Sequence, residues 1–395
     1  MISLCLYFQA HQPSRIRELS FFEIGNHPDL FDHALNKKIL SRVSKNSYLP
    51  CFRMFGELIR STKGKFRFGL SATGLLLEQM EGTNGEGIDS IRSLLSTGAV
   101  EMLGETYYHS FASLYSPSEF EEQVIRHKNL LKTLFNIEPA IFRNTELAFR
   151  SDMTKTLEKT GFSSLFIEGC ERTLKGKSGN FLYSAPGKKG MKIFTRNQGY
   201  SNLFSRRAPD QGGKKKFPDT AELVERIARE EGEIINIWFD IECMGEHQKA
   251  FSGIFDFFEA FVVEAVRSGK VRFILPSEAE SALRAKGTIE IFSPVTWHIK
   301  RNDISAWNGN AMQIEAMKYI YSLEDKLKAA GNENALDSWR RLQSSDHFLY
   351  MDTDETNGTR PAQQFSPFNS PHEAYIYLMN ALASLELEAE PGKES

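Results

Sequence analysis

From its start to about residue 290 the chain alternates short apolar runs with longer segments of helical period, and this rhythm restricts the fold more than any other feature. Repeated strand-then-helix order predicts a parallel sheet, because parallel neighbours need a crossover long enough to hold a helix. Strands are expected near 2–9, 66–71, 99–106, 140–147, 164–168, 191–195, 234–242 and 271–275. The helices carry their own punctuation. Ser118 and Glu121 make a capping-box pattern ahead of Val124, His127 and Leu131 on one face. Ile254, Phe257, Phe258, Phe261 and Ala265 form an apolar stripe that stops at Gly269, just before the run Val271–Leu275. Seven or eight such units outgrow a small open sheet and predict a closed or nearly closed barrel, with a doubly wound sheet as the alternative.

After about residue 290 the rhythm becomes helical throughout, with helices expected over Met312–Tyr321, Ala335–Gln343 and His372–Leu387. The expected organisation is a βα barrel over 1–290 and a helical region over 291–395. Residues 206–216, with Pro209, Gly212, Gly213 and three successive lysines, read as a solvated loop that could also attract an anion. The polar tail Glu388–Ser395 reads as a frayed end.

Composition removes several function classes. The 48 basic and 51 acidic residues leave a net charge of -3, without the positive excess that nucleic acid binding exploits. No run of about 18 apolar residues exists to span a membrane. Met1–Phe8 has neither a positive leader nor a cleavage site and reads as a first strand. Cys5, Cys51, Cys170 and Cys243 are scattered, which suits reduced thiols in a cytoplasmic protein. Thirty Phe, within 12% aromatic residues, are explained by a large core.

In a βα barrel the residues at the carboxyl ends of the strands converge on one face. Here the first strand ends in Gln9-Ala-His11-Gln12-Pro13, the third in Glu105-Thr-Tyr107-Tyr108-His109, the fourth in Glu146 and the seventh in Asp240-Ile-Glu242. Singly, His11 reads equally as a hydrogen-bonded core histidine, and Glu105 or Glu242 as the partner of an arginine. Their shared position is the stronger signal. Asp240 ends the apolar strand after Asn236-Ile-Trp-Phe239, where desolvation would raise its pKa toward acid/base use. Two carboxylates facing each other across a barrel mouth suggest glycoside hydrolysis, retaining at a separation of about 5–5.5 Å and inverting above about 6.5 Å.

The rival is a metal site built from His11, His109, Asp240, Glu242 and His247. No two histidines stand three or four residues apart, so such a site would need distant single donors. Asp352-Thr-Asp354-Glu-Thr-Asn-Gly358 resembles a calcium loop only superficially and reads as a solvated turn. Neither a serine nucleophile elbow, a phosphate loop nor a dinucleotide fingerprint is present. Trp238, Trp297 and Trp307 fall near the active face or just beyond it; Trp307 is favoured as a sugar platform, against packing of the helical extension onto the barrel.

Taken together, these segments resemble glycoside hydrolase family 57. His11-Gln12-Pro13 is similar to its first motif and Val100-Glu-Met-Leu-Gly-Glu-Thr-Tyr-Tyr-His109 to its second. Phe142-Arg-Asn-Thr-Glu146-Leu resembles the third, which carries the nucleophile, and Trp238-Phe-Asp240-Ile-Glu-Cys-Met-Gly-Glu-His247 the fourth, with the acid/base at Asp240. Leu275-Pro-Ser-Glu278 resembles the fifth; Ser345-Asp346-His347-Phe-Leu-Tyr-Met351 and Phe365-Ser-Pro-Phe368 are similar to the helical region of amylase-like members. Arg143-Asn-Thr departs from the more aromatic or aliphatic residues of many relatives, a difference that bears on subsite preference.

The resemblance implies an incomplete seven-stranded (β/α) barrel with a C-terminal helical region completing the cleft, so one of the eight expected strands should lie outside. It implies cofactor-free double displacement on α-glucans or maltooligosaccharides, with Glu146 as nucleophile and Asp240 as acid/base. His11, His109, Trp238, Glu242, His247 and Trp307 would bind substrate. A 4-α-glucanotransferase, a metal-dependent deacetylase and a glucan-binding protein without turnover are the alternatives.

Overall fold

The alternation is realised as one sheet of nine strands in the computed structural model, which describes residues 1–26, 29–83, 85–187, 190–205, 217–298, 301–354 and 366–389. In chain order the strands are β1 (Ile2–Ala10), β2 (Phe68–Ala72), β3 (Val100–Met102), β4 (Ile141–Arg143), β5 (Ser164–Glu168), β6 (Tyr183–Ser184), β7 (Lys192–Arg196), β8 (Ile234–Asp240) and β9 (Val271–Phe273). Seven form the path β3-β2-β1-β8-β7-β5-β4, all in parallel. The path curls until its edges meet: Gly104, just past β3, pairs with Phe142 of β4 in a single parallel bridge. Its two hydrogen bonds are Gly104 N–H to Ile141 O (2.9 Å) and Arg143 N–H to Gly104 O (2.8 Å). A side chain at Gly104 would collide with the Phe162 ring 2.4 Å away, so the closure needs glycine. The β7–β8 joint is equally thin, a single registered pair of Arg196 with Asn236. β9 hangs off the start of β1 and β6 pairs antiparallel with β7, so the eighth expected strand does lie off the barrel.

Strand alternation sorts the side chains. Leu4, Leu6, Phe8 and Ala10 of β1, with Ile235, Ile237 and Phe239 of β8, point outward into a cluster shared with the helices. Cys5, Tyr7 and Trp238 point inward to a second cluster with Leu103, Ile141, Phe166 and Phe194. With both faces covered, the strands read as near-continuous apolar runs. Toward the carboxyl ends the inward positions turn polar: Gln9, Ser71, Glu105, Arg143, Glu168, Arg196 and Asp240. That change in chemistry makes one mouth of the barrel reactive. It also shortens the expected strands 99–106 and 140–147 to three residues each, because their polar ends leave the ladder to form the mouth.

Helices pack by the expected stripes. α1 (Leu49–Ser61) buries Phe52, Phe55 and Leu58, and its Phe55 stacks on Phe8 at 4.8 Å. α2 (Pro117–Phe135) starts earlier than the Ser118 pattern predicts: Ser116 is the cap, accepting from Glu119 N–H, because Pro117 fits the first helical position. α3 (Ile254–Ser268) ends at the left-handed Gly269. The C-terminal helices α4 (Ala311–Ser322), α5 (Glu333–Leu342), α6 (Ser345–Leu349) and α7 (Pro371–Glu388) share a core including Trp307, Met317, Trp339 and Leu382, joined by Ile16, Leu19 and Phe31 from the loop after β1. Arg340 of α5, buried with Glu119 of α2, ties this region to the barrel at 2.9 Å. Ser345 N–H donates to His109 O at 2.8 Å, setting the start of α6 at the barrel mouth. Among the described residues no helix is long and apolar enough to cross a membrane, and all four cysteines are buried free thiols. The 206–216 loop, residues 355–358 of the superficially calcium-like turn and the tail from 390 lie outside the described residues.

Candidate active site

After β4 the chain makes a tight turn rather than a helix. Asn144 Nδ2 donates to Ala148 O (2.7 Å) and Ser113 Oγ (2.8 Å), and Thr145 Oγ1 bonds Thr106 Oγ1 (2.6 Å). Within this frame Glu146 (φ 52°) and Leu147 (φ 50°) are both left-handed, at a cost of about 1–3 kcal/mol each. The strain directs the Glu146 carboxylate over the mouth. Oε1 lies 3.2 Å from His109 Nε2 and 3.3 Å from Ser345 Oγ, while Oε2 accepts the Trp297 indole N–H. Trp297 arrives there because Phe149 and Val295 pair antiparallel. Burial works to raise the pKa of Glu146, but the His109 hydrogen bond and charge, the Arg143 charge and Trp297 hold it below the ordinary value. It is ionised.

Asp240 ends β8 in register with Gln9 and points inward. Burial, opposed by the Arg143 charge and reinforced by that of Glu146, pushes it up to about 6. Glu242, in the turn Ile241–Cys243, accepts from His11 N–H (3.0 Å) and from the Tyr48 hydroxyl through Oε1; its buried Oε2 has no hydrogen-bond partner among the described residues. Burial and the Asp240 charge push Glu242 up to about 8. The Asp240–Glu242 pair therefore holds one proton near neutrality.

Two histidines wall the mouth, their rings stacked at 4.1 Å. His109 is pushed up to about 9: burial lowers it, but the nearby Glu105 carboxylate, 3.7 Å from Nδ1, and the hydrogen bond to Glu146 prevail. His11 is lowered by burial and by the His109 charge, leaving one neutral and one charged ring. A neutral His11 with its proton on Nε2 donates to Asp346 (2.8 Å) and accepts from Thr73 Oγ1 at Nδ1 (2.9 Å). Although burial opposes it, His11 and then His109 hold Asp346 well below the usual carboxylate range. Beneath them Glu105 binds Ser71 (2.9 Å) and Gln9 (3.3 Å) inside the barrel.

Glu146, Asp240, His11, His109 and Glu242 thus come together, drawn from four strand ends. His247 is half-buried, and its backbone N–H donates to the backbone Glu242 O at 2.8 Å. Two expectations need correction. Trp307 is 1% exposed in the core of the helical region, packed on Phe111 and His298, so it is no platform; the packing role holds instead. Trp238 is 2% exposed inside the barrel, with Arg143 at 4.9 Å and Arg196 at 5.3 Å against its ring, so it forms the floor and offers no face to a sugar. Conversely, Trp297, Ser345, Asp346 and Tyr48 have contacts at the site to which the sequence assigned no role. The only signals were Trp297's place among the tryptophans near the active face and the Ser345–Met351 segment. Among the described residues no three His, Cys, Asp or Glu side chains converge as a metal-holding group.

A parallel barrel whose carboxyl-end mouth carries carboxylates of unlike acidity is an arrangement that sugar-cleaving chemistry can use. The chain belongs to glycosyl hydrolase family 57, whose family model matches residues 5–292. It is 32% identical over 96% of its length, and 83% of the relative, to a protein of Methanocaldococcus jannaschii described as "Putative alpha-amylase". Its fold is similar to that of a family-57 branching enzyme from Thermococcus kodakaraensis, with TM-score 0.69, 17% identity, and 90% and 86% of the two chains covered. It is also similar to that of the 4-alpha-glucanotransferase from Thermococcus litoralis, with TM-score 0.62, 14% identity, and 88% and 56% covered.

Proposed function

We propose that this glycosidase cleaves α-glucosidic, chiefly α-1,4, bonds of α-glucans or maltooligosaccharides with retention, in the manner of an α-amylase. The observation that carries the reading is the placement of two carboxylates at one mouth, Glu146 held by His109, Ser345 and Trp297 and Asp240 at the inward end of β8, with the surroundings lowering the first and burial raising the second. Glu146 attacks the anomeric carbon while Asp240 protonates the leaving glycosidic oxygen. Asp240, now ionised, then takes a proton from water, whose oxygen attacks the same carbon and releases Glu146. The charged His109 orients Glu146; His11, Glu242 and His247 supply polar contacts for sugar hydroxyls. The helical region completes the cleft through Ser345 and Asp346 of α6.

The test is Glu146→Ala beside Asp240→Ala, with azide as external nucleophile. Azide restores turnover to Glu146→Ala and yields a glycosyl azide of inverted configuration, since only one displacement occurs; normal turnover by Glu146→Ala without azide refutes the assignment. Maltoheptaose separates hydrolysis from transfer. Hydrolysis raises the count of reducing ends, whereas transfer makes longer and shorter chains at a constant count.

A further inference from the structure

Arg143 is wholly buried inside the barrel, yet none of its three side-chain nitrogens has a hydrogen-bond partner among the described residues. Its guanidinium lies 4.9 Å from the Trp238 ring, and Nη1 is 3.7 Å from Glu105 Oε2, beyond hydrogen-bond length. The Glu105 carboxylate is already engaged by Ser71 and Gln9. Arg196, the other guanidinium against Trp238, shows the usual arrangement: it donates to Glu168 (3.2 Å) and Asn202 (2.8 Å). A buried cation without a matched hydrogen-bonding anion costs several kcal/mol, roughly, and packing does not require a charge at this position.

We propose that Arg143 is a positioning residue of the catalytic centre: clamped between Trp238 and Glu105, it holds fixed positive charge beneath Glu146 and Asp240 without hydrogen-bonding to either, and so sets the pH window of turnover. The inference rests on the reading of Glu146 and Asp240 as the catalytic pair. The groups around it are Tyr7 of β1, Glu105 and His109 after β3, Glu146 after β4 and Asp240 of β8, with the Arg196–Glu168 pair beyond Trp238. Its charge lowers Glu105, Glu146 and Asp240 and disfavours a proton on His109. Both catalytic carboxyls feel it in the same direction. Without it, Glu146 ionises at higher pH, moving the acid limb of activity up, and Asp240 keeps its proton to higher pH, moving the alkaline limb up as well. The whole bell is displaced rather than narrowed.

The experiment measures kcat/KM against pH on maltoheptaose for the full chain, Arg143→Met and Arg143→Lys, with Glu146→Ala in parallel. In Arg143→Met both limbs move up by about one pH unit, the low end of what an opposite charge at close range produces. Arg143→Lys keeps the charge and leaves the limbs within about 0.3 unit of the parent. Should Arg143→Met fail to fold, Arg143→Gln, planar and uncharged, shows the same displacement. A neutral variant that is slower but whose bell stays in place overturns the inference, because a purely structural role lowers the curve without moving it. That outcome with an inactive Glu146→Ala leaves the catalytic pair standing; normal turnover by Glu146→Ala overturns both.

Discussion

Replacing Arg340 by Met tests how the helical region is held to the barrel. Arg340 of α5 is 2% exposed and donates to Glu119 of α2 at 2.9 Å and 3.3 Å, with Glu122 as a further, more exposed partner. Breaking a buried pair from one side costs about 3–5 kcal/mol, because the surviving charge stays desolvated. Here Glu119 keeps Lys328 Nζ at 3.1 Å and the Gln123 amide at 3.0 Å, so the loss falls at the low end, about 3 kcal/mol. Glu119→Leu added to Arg340→Met removes the stranded carboxylate and recovers about 1 kcal/mol or more. Urea unfolding followed by tryptophan fluorescence reads both values, since Trp307 and Trp339 lie in the core concerned. A loss below about 1 kcal/mol for Arg340→Met, or a double variant as weak as the sum of the singles, would refute this account of the joint.

Wild-type kcat/KM should hold on the acid side to below the ordinary glutamate range, because Glu146 is lowered, and fall as pH rises through about 6, where Asp240 loses its proton; a pH–rate profile that peaks above neutrality contradicts it. His109→Gln removes a charged donor from Glu146 and should lower kcat/KM by roughly ten- to a hundredfold, equivalent to about 1.5–3 kcal/mol; unchanged steady-state kinetics would count against a role for that contact. The same variant probes stability. His109 is raised to about 9, so its contribution is full below the unfolded value of about 6.5 and fades as pH climbs through 9; the melting deficit of His109→Gln should therefore be larger at pH 6 than at pH 9.5, as read by calorimetry. Trp307→Phe should lower stability by about 1–3 kcal/mol and leave KM for maltoheptaose unchanged, whereas a raised KM would restore the platform reading.

The barrel was legible because burial on both strand faces writes continuous apolar runs, and because polar residues at strand ends mark the one face where they are tolerated. That positional logic singled out Glu146, Asp240, His11 and His109, and the fold brings them to one mouth. What escaped it was contact across the chain: Trp297 and Ser345 reach Glu146 from 151 and 199 residues away, and no local period encodes such a meeting. Trp307 misled because an aromatic near a strand-end loop reads alike whether it faces a sugar or a helix core. The Ser118 cap pattern was displaced because Ser116-Pro117 offers a better helix start.

The two one-pair joints, β7 to β8 and β3 to β4, divide the barrel into two staves. One consists of β8, β1, β2 and β3, with seven registered pairs between β8 and β1 alone. The other is β7, β5 and β4. Asp240 rides on the first and Glu146 on the second. The gap between the two carboxylates is therefore set by how the two staves are held together, and beside the single registered pairs this falls to Thr106 with Thr145 and His109 with Glu146 at one seam and to Asn236 Nδ2 donating to Thr195 O at the other.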